Sequence, residues 1–257
     1  MAHQRELKRL LNERPAGVLA EIDPADVMTD GTPGDPNYFG SAQRALRNVR
    51  LALLAAMKDE VRSILDLPSG HGRILRMFAA AFPDAELTAC DTDAEGIEFC
   101  ASKFGAVPVL SKPDPDDIEI EGPFDLIYCG SLLTHVDERG WDGFLRLFER
   151  VLDDDGVLVF TTGGRRFANQ IRARRRLFGL TEEAALEMLA EYESKGFSYN
   201  EWPHANNYGV TMAALLWTCR KLEQYPSLRL LSVTEQAPQD VIACTKGSVD
   251  DSFRVNR

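Results

Sequence analysis

Between residues 64 and 161, short apolar runs alternate with segments of helical period, and this alternation limits the fold more than any other feature of the chain. The runs at 64–67, 87–90, 107–110, 124–129 and 157–161 read as strands buried on both faces. Between them, residues 73–82, 94–104 and 141–152 are apolar at i, i+3 and i+4, as helices packed on a sheet must be. Strand and helix units at this pitch give parallel strands joined by crossovers. The expected fold is therefore α/β, a Rossmann-like doubly wound sheet. Two further runs, 228–233 and 241–245, flank a turn region containing Pro238 and predict a terminal antiparallel hairpin, which makes seven strands in a mixed sheet.

The remaining segments divide the chain. Residues 1–40 read as an N-terminal arm, 41–162 as the core, 163–208 as a helical insertion punctuated by Gly179 and Gly196, 209–247 as the last helix and closing hairpin, and 248–257 as a tail. An amphipathic helix opens the core, with Ala45, Val49, Ala52, Leu53 and Ala56 on one face, and ends near Glu60. A second apolar helix is expected from 211 to 222.

Composition removes several classes of function. The formal charge is -11, with 29 Lys plus Arg against 40 Asp plus Glu, so the bulk field repels nucleic-acid backbones. No apolar stretch approaches the roughly 18 to 20 residues of a membrane span, and the charged first residues lack the apolar region of a secretory signal. A cytoplasmic protein with no membrane partner is the expectation. Its five cysteines, Cys90, Cys100, Cys129, Cys219 and Cys244, are scattered without a Cys-x-x-Cys pair, which encodes neither a zinc site nor a disulfide framework.

Chemistry concentrates where the first strand ends, in Asp66-Leu67-Pro68-Ser69-Gly70-His71-Gly72-Arg73. Gly70 and Gly72 permit close backbone approach to a ligand at a helix start. Twenty-five residues beyond Asp66, the second strand ends in Asp91 and Thr92, where an acid can accept hydrogen bonds from both ribose hydroxyls. A dinucleotide fingerprint needs a third glycine at position 75, which is leucine, and the Asp66 carboxylate suits an amino group better than a phosphate. The ligand expected here is a cationic nucleoside.

This constellation resembles the class I S-adenosylmethionine-dependent methyltransferases over residues 41–162, and the terminal hairpin fits the same fold. The resemblance implies that Asp66, Pro68, Ser69, Gly70, His71 and Gly72 surround the methionine portion of the donor, that Asp91 holds the ribose, and that Thr92 flanks the adenine. It also implies an acid near the adenine amino group, of which Asp114 is favoured over Asp116 and Asp117, and a fourth motif, Cys129, Gly130 and Ser131, beside the transfer centre. Pro68 and Ser69 depart from the glycine-rich loop of many members.

His135 is the candidate general base, because an imidazole titrating near neutral pH can take a proton from an attacking hydroxyl or amine; a hydrogen-bonded structural role is the alternative. Arg165, Arg166, Arg172, Arg174, Arg175 and Arg176 crowd the insertion. Extending its helical pattern places Arg174 on the apolar stripe, where it could meet an anionic group of the acceptor. Trp202, Pro203, His204, Asn206, Asn207 and Tyr208 form a polar-aromatic cluster suited to a lid or acceptor wall, and Tyr38 could fold over the donor. The combined expectation is an enzyme that methylates an oxygen or nitrogen of a small-molecule or glycan-like acceptor, with no metal. A nicotinamide-dependent oxidoreductase, a non-catalytic donor-binding regulator and a nucleic-acid methyltransferase are the alternatives, and the sequence sets no oligomeric state.

Overall fold

The computed structural model describes residues 9, 11–32, 34–203, 208–236 and 238–247. Helix α1 (Pro36–Ala56) leads into β1 (Ser63–Asp66), α2 (Leu75–Ala81), β2 (Glu86–Asp91), α3 (Ala94–Phe104), β3 (Val107–Leu110), β4 (Phe124–Cys129), α4 (Glu138–Val151) and β5 (Leu152–Thr162). The insertion then supplies α5 (Arg165–Arg172), α6 (Glu182–Lys195), β6 (Phe197–Glu201) and β7 (Gly209–Ala213). Last come α7 (Leu215–Leu222), β8 (Leu228–Thr234) and β9 (Asp240–Lys246). Seven strands form one mixed sheet in the order β3-β2-β1-β4-β5-β9-β8, the first five parallel and β9 and β8 antiparallel, as the sequence pattern predicts.

Alternation along each strand builds two core layers. On one face Leu65, Ile127, Leu158 and Ile242 pack with Trp141, Leu145 and Phe148 of α4. On the other, Ile64, Leu126, Val157 and Val241 meet Leu46 and Val49 of α1, Phe78 of α2 and Ile97 of α3. A third cluster joins Phe167 and Ile171 of α5, Met188 and Leu189 of α6, and Met212 of β7.

Three expectations are corrected. Residues 211–213 belong to a strand rather than to the helix expected from 211, because Val210, Thr211, Met212 and Ala213 are buried on both faces and pair with β6 in a two-stranded sheet. Helix α1 begins at Pro36, since Asp35 caps it by accepting the backbone N–H groups of Asn37 (2.8 Å) and Tyr38 (3.1 Å), with proline in the first turn. Third, α5 ends at Arg172, and Arg174 has left-handed backbone (φ 51°), so the extrapolated stripe does not exist.

The arm before α1 is tied down by one buried cation. Arg76 of α2 donates to the carbonyls of Leu19 (2.9 Å) and Glu21 (2.7 Å), to the Tyr38 hydroxyl (3.0 Å) and, through Nε, to Gly72 (3.2 Å). The Tyr38 hydroxyl in turn donates a hydrogen bond to Asp26 Oδ2 (2.7 Å). The sequence put Tyr38 over the donor; it is instead buried at 1% exposure as the link between arm and helix.

Candidate active site

A cavity of about 740 Å³ opens at the carboxyl ends of β1, β2 and β4, the edge where ligands enter an open α/β sheet. The arm roofs it with residues 25–28, α1 contributes Ser41, Arg44, Ala45 and Asn48, and the β8–β9 connection adds Gln236, Pro238 and Gln239.

Its floor starts with the turn after β1. The peptide preceding Pro68 is cis, and Gly70 and Gly72 both have positive φ, 49° and 74°. The two glycines serve different ends. A Cβ on Gly70 would meet nothing within 4 Å, so its side is open to the cavity, whereas one on Gly72 would lie 2.5 Å from the Phe104 ring and 3.0 Å from Cys100 Sγ. Pro68, Ser69, Gly70 and His71 line the cavity, and Gly72 lies against α3 instead. His71 sits between two carboxylates, its Nε2 3.1 Å from Asp93 and its Nδ1 3.4 Å from Asp23 of the arm.

Asp91 and Thr92 form the opposite side. Asp91 accepts the Gly70 N–H at Oδ2 (2.7 Å) and the Asp93 N–H at Oδ1 (3.0 Å). Two oxygens with about four acceptor positions still leave room for ligand hydroxyls. Asp93 caps α3 by accepting from Glu95 and Gly96.

Besides Gly72, three predicted ligand residues lie outside the cavity lining. Asp66 is wholly buried with neither carboxylate oxygen hydrogen-bonded, and burial followed by the Asp91 charge pushes its carboxyl far above the usual range. It underlies the turn rather than lining the cavity. Asp114 caps a short 3₁₀ turn by accepting the Asp116 N–H (3.1 Å) and pairs with Arg139 (3.5 Å), outside the cavity wall. Cys129 points into the core, where burial raises its thiol. On an alternating strand the cavity side falls to its neighbour, so Tyr128 lines the site.

At the transfer end, Ser131 has φ 68° and its N–H donates to Thr161 Oγ1 (2.7 Å). The Ser131 and Thr161 hydroxyls both donate to Gln239 Oε1 (3.0 and 2.7 Å). His135 is fixed by main chain on two sides: its ring Nδ1 lies 2.7 Å from the Gly209 carbonyl, and its own carbonyl accepts the Gly209 N–H (2.9 Å). A carbonyl only accepts, so the proton resides on Nδ1 and Nε2 keeps the lone pair. Burial lowers the imidazole pKa, favouring this neutral form. Tyr208 stacks on the ring at 4.7 Å and Trp202 approaches it at 5.2 Å. His204, Asn206 and Asn207 lie outside the described residues.

The arginine cluster faces away. Arg174 is 62% exposed and pairs with Glu182, and Arg165 and Arg172 pair with Glu235 and Glu193. The cations that do line the cavity, Arg44, Arg73 and Lys112, were not singled out by the sequence, although Arg73 immediately follows the glycine turn. Among the described residues one group of three carboxylates, Asp125, Asp153 and Asp155, has metal-like spacing, and the Lys58 ammonium occupies it, 2.7 Å from Asp125. No helix of the described residues is long and apolar enough to cross a membrane.

Comparison with known proteins places this geometry. Residues 65–158 match the methyltransferase domain family. A malonyl-[acyl-carrier protein] O-methyltransferase of Acetivibrio thermocellus is 27% identical over 131 residues, 50% of this chain and 46% of the relative, so the chain matches about half of that protein's length. A solved S-adenosylmethionine-dependent methyltransferase from Clostridium acetobutylicum superposes with TM-score 0.54 at 15% identity, covering 83% of this chain and 93% of that one. An O-methyltransferase family protein from Burkholderia thailandensis does so with TM-score 0.52 at 14% identity, over 83% and 60%. By its matched domain over residues 65–158 and by its fold, the chain is similar to the class I S-adenosylmethionine-dependent methyltransferases.

Proposed function

We propose that the protein transfers the methyl group of S-adenosylmethionine to an oxygen of a small-molecule acceptor. The observation that carries this reading is the single cavity joining the Gly70 turn and Asp91 at one end to Ser131 and His135 at the other. Bound there, the donor supplies an electrophilic methyl on a positively charged sulfur. Pro68, Ser69, Gly70 and His71 would border its amino-acid portion, Asp91 its ribose and Thr92 its adenine, and the acids around this end suit a cation.

The residues of the chain then have two tasks. One is orientation, since an in-line approach in a site closed to water provides most of the rate in such a transfer. The other is proton removal: the acceptor O–H loses its proton to Nε2 of His135 as the oxygen takes the methyl. A ring already held neutral, with its other nitrogen engaged by Gly209, is prepared for that step. The similarity to an O-methyltransferase of Acetivibrio thermocellus supports oxygen over nitrogen.

Calorimetric titration with S-adenosylhomocysteine, using NAD as the control, tests the reading. Selective binding is expected, weakened roughly 10- to 100-fold in Asp91→Ala by the loss of charge-assisted hydrogen bonds. Binding of NAD without S-adenosylhomocysteine overturns it.

A further inference from the structure

The cavity is unevenly supplied with counter-charges. Its three lining carboxylates are all engaged: Asp26 by the Tyr38 hydroxyl and the Met28 N–H, Asp91 by Gly70 and Asp93, and Asp93 by the start of α3 and His71. Its arginines are not. The half-buried Arg73 makes no hydrogen bond or ion pair to any described residue, and the exposed Arg44, among the described residues, donates only to the Ser41 hydroxyl (2.8 Å). Asp66, the acid nearest in sequence to Arg73, makes no ion pair with it, and burial pushes its carboxyl well above the usual range, a rise that Arg73 offsets in part.

A third group converges there. Tyr128 is 6% exposed, its ring packs edge-on against Phe78, the residue lines the cavity, and its hydroxyl makes no hydrogen bond to any described residue. The ring folds back over Gly130, so that a Cβ at Gly130 would lie 3.4 Å from the Tyr128 hydroxyl. Both Arg73 and Arg44 lie near enough to Tyr128 to offset part of the rise that burial gives its hydroxyl. Two guanidinium-bearing side chains and a tyrosine whose O–H has no partner among the described residues thus belong to the wall of one cavity. Planar guanidinium forks match the oxygens of a carboxylate or phosphate, and a phenol O–H can donate to the same oxygens.

We propose that Arg44, Arg73 and the Tyr128 hydroxyl form an anion subsite in the cavity wall that holds a carboxylate or phosphate group of the methyl acceptor. The proposal rests on the donor reading above, because the donor brings a carboxylate of its own that could seek the same groups. It makes the acceptor a small acid whose reacting hydroxyl lies toward His135, and it replaces Arg174 with residues that face the cavity.

The test uses the full chain. Inorganic phosphate and benzoate are titrated calorimetrically into protein saturated with S-adenosylhomocysteine, and the latter is compared with 5′-methylthioadenosine, which lacks the amino-acid arm. The expected result is anion binding to the saturated protein that falls at least about fivefold in each of Arg44→Gln, Arg73→Gln and Tyr128→Phe. S-adenosylhomocysteine affinity should change less than about twofold in the same variants. Two results overturn the proposal. One is failure of both anions to bind the saturated protein. The other is a loss of about tenfold in S-adenosylhomocysteine affinity with 5′-methylthioadenosine unaffected, which assigns the groups to the donor's carboxylate. If the unaltered chain binds no S-adenosylhomocysteine, the donor reading fails, and phosphate titration of the free protein with the same variants still decides the subsite.

Discussion

His135 shows how much of a residue's chemistry is set by its neighbours. The Gly209 carbonyl selects the tautomer, and burial lowers the pKa from its ordinary value of 6.5. A base with a lowered pKa stays competent in more acidic solution, so the acid limb of the pH–rate profile should lie below 6.5 once an acceptor is found. Replacing His135 with Gln should lower kcat by roughly 10²- to 10⁴-fold and abolish that limb, with little effect on S-adenosylhomocysteine affinity. A profile unchanged in shape would remove His135 from the chemistry. At this scale the sequence pointed to residues that line the cavity wherever local geometry decides, as at Gly70, Asp91 and His135. It failed at Cys129 and Asp66, because the face of a strand end that meets a cavity depends on what packs behind it. Arg73 and Tyr128 stand in the same segments as residues that were singled out, and only the three-dimensional register separates them.

Among the elements, the arm is the least legible and the most dependent on one side chain. Its Pro, Gly and Asp-rich stretch carries no period, and what orders it is Arg76, an unremarked cation on an amphipathic helix. Because the guanidinium is 1% exposed and satisfies two arm carbonyls and Tyr38, Arg76→Met should cost about 3 to 5 kcal/mol, the usual penalty for breaking a buried charged network. It should also speed proteolysis between residues 11 and 35 under native conditions. Urea unfolding and timed digestion would measure both, and an arm equally protected in the variant contradicts the assignment. The β6–β7 pair escaped the sequence for a related reason. Both faces of β7 are buried, which erases the alternation that marks a half-exposed strand and leaves an apolar run that a helix fits as well. The five parallel strands were legible because each adjoins a helix of clear period on at least one side.

The whole molecule adds a dependence on pH that no single element reveals. Asp240, where β9 begins opposite Thr162, is raised to about 6 by burial and by Glu235, against the partial offset of Arg165 and Arg166. With its folded pKa above the unfolded value, it stabilises fully below pH 3.8, and that contribution is lost as pH rises through about 6. Asp240→Asn keeps the shape and removes the titration, so its stability relative to the parent should improve by about 2 kcal/mol between pH 4 and pH 7, at about 1.36 kcal/mol per pKa unit. Urea midpoints at several pH values measure this, and a pH-independent difference contradicts it. The attachment of the insertion to the core carries a different implication. His135 is held by the Gly209 backbone on both sides, and a further backbone link joins Ala213 to Gly163. Side chains on the hairpin can therefore be exchanged while these contacts persist. Mutational drift can reshape the wall around Tyr208 and Trp202 without detuning the imidazole, so new acceptors are within reach of few substitutions and the donor half need not change with them.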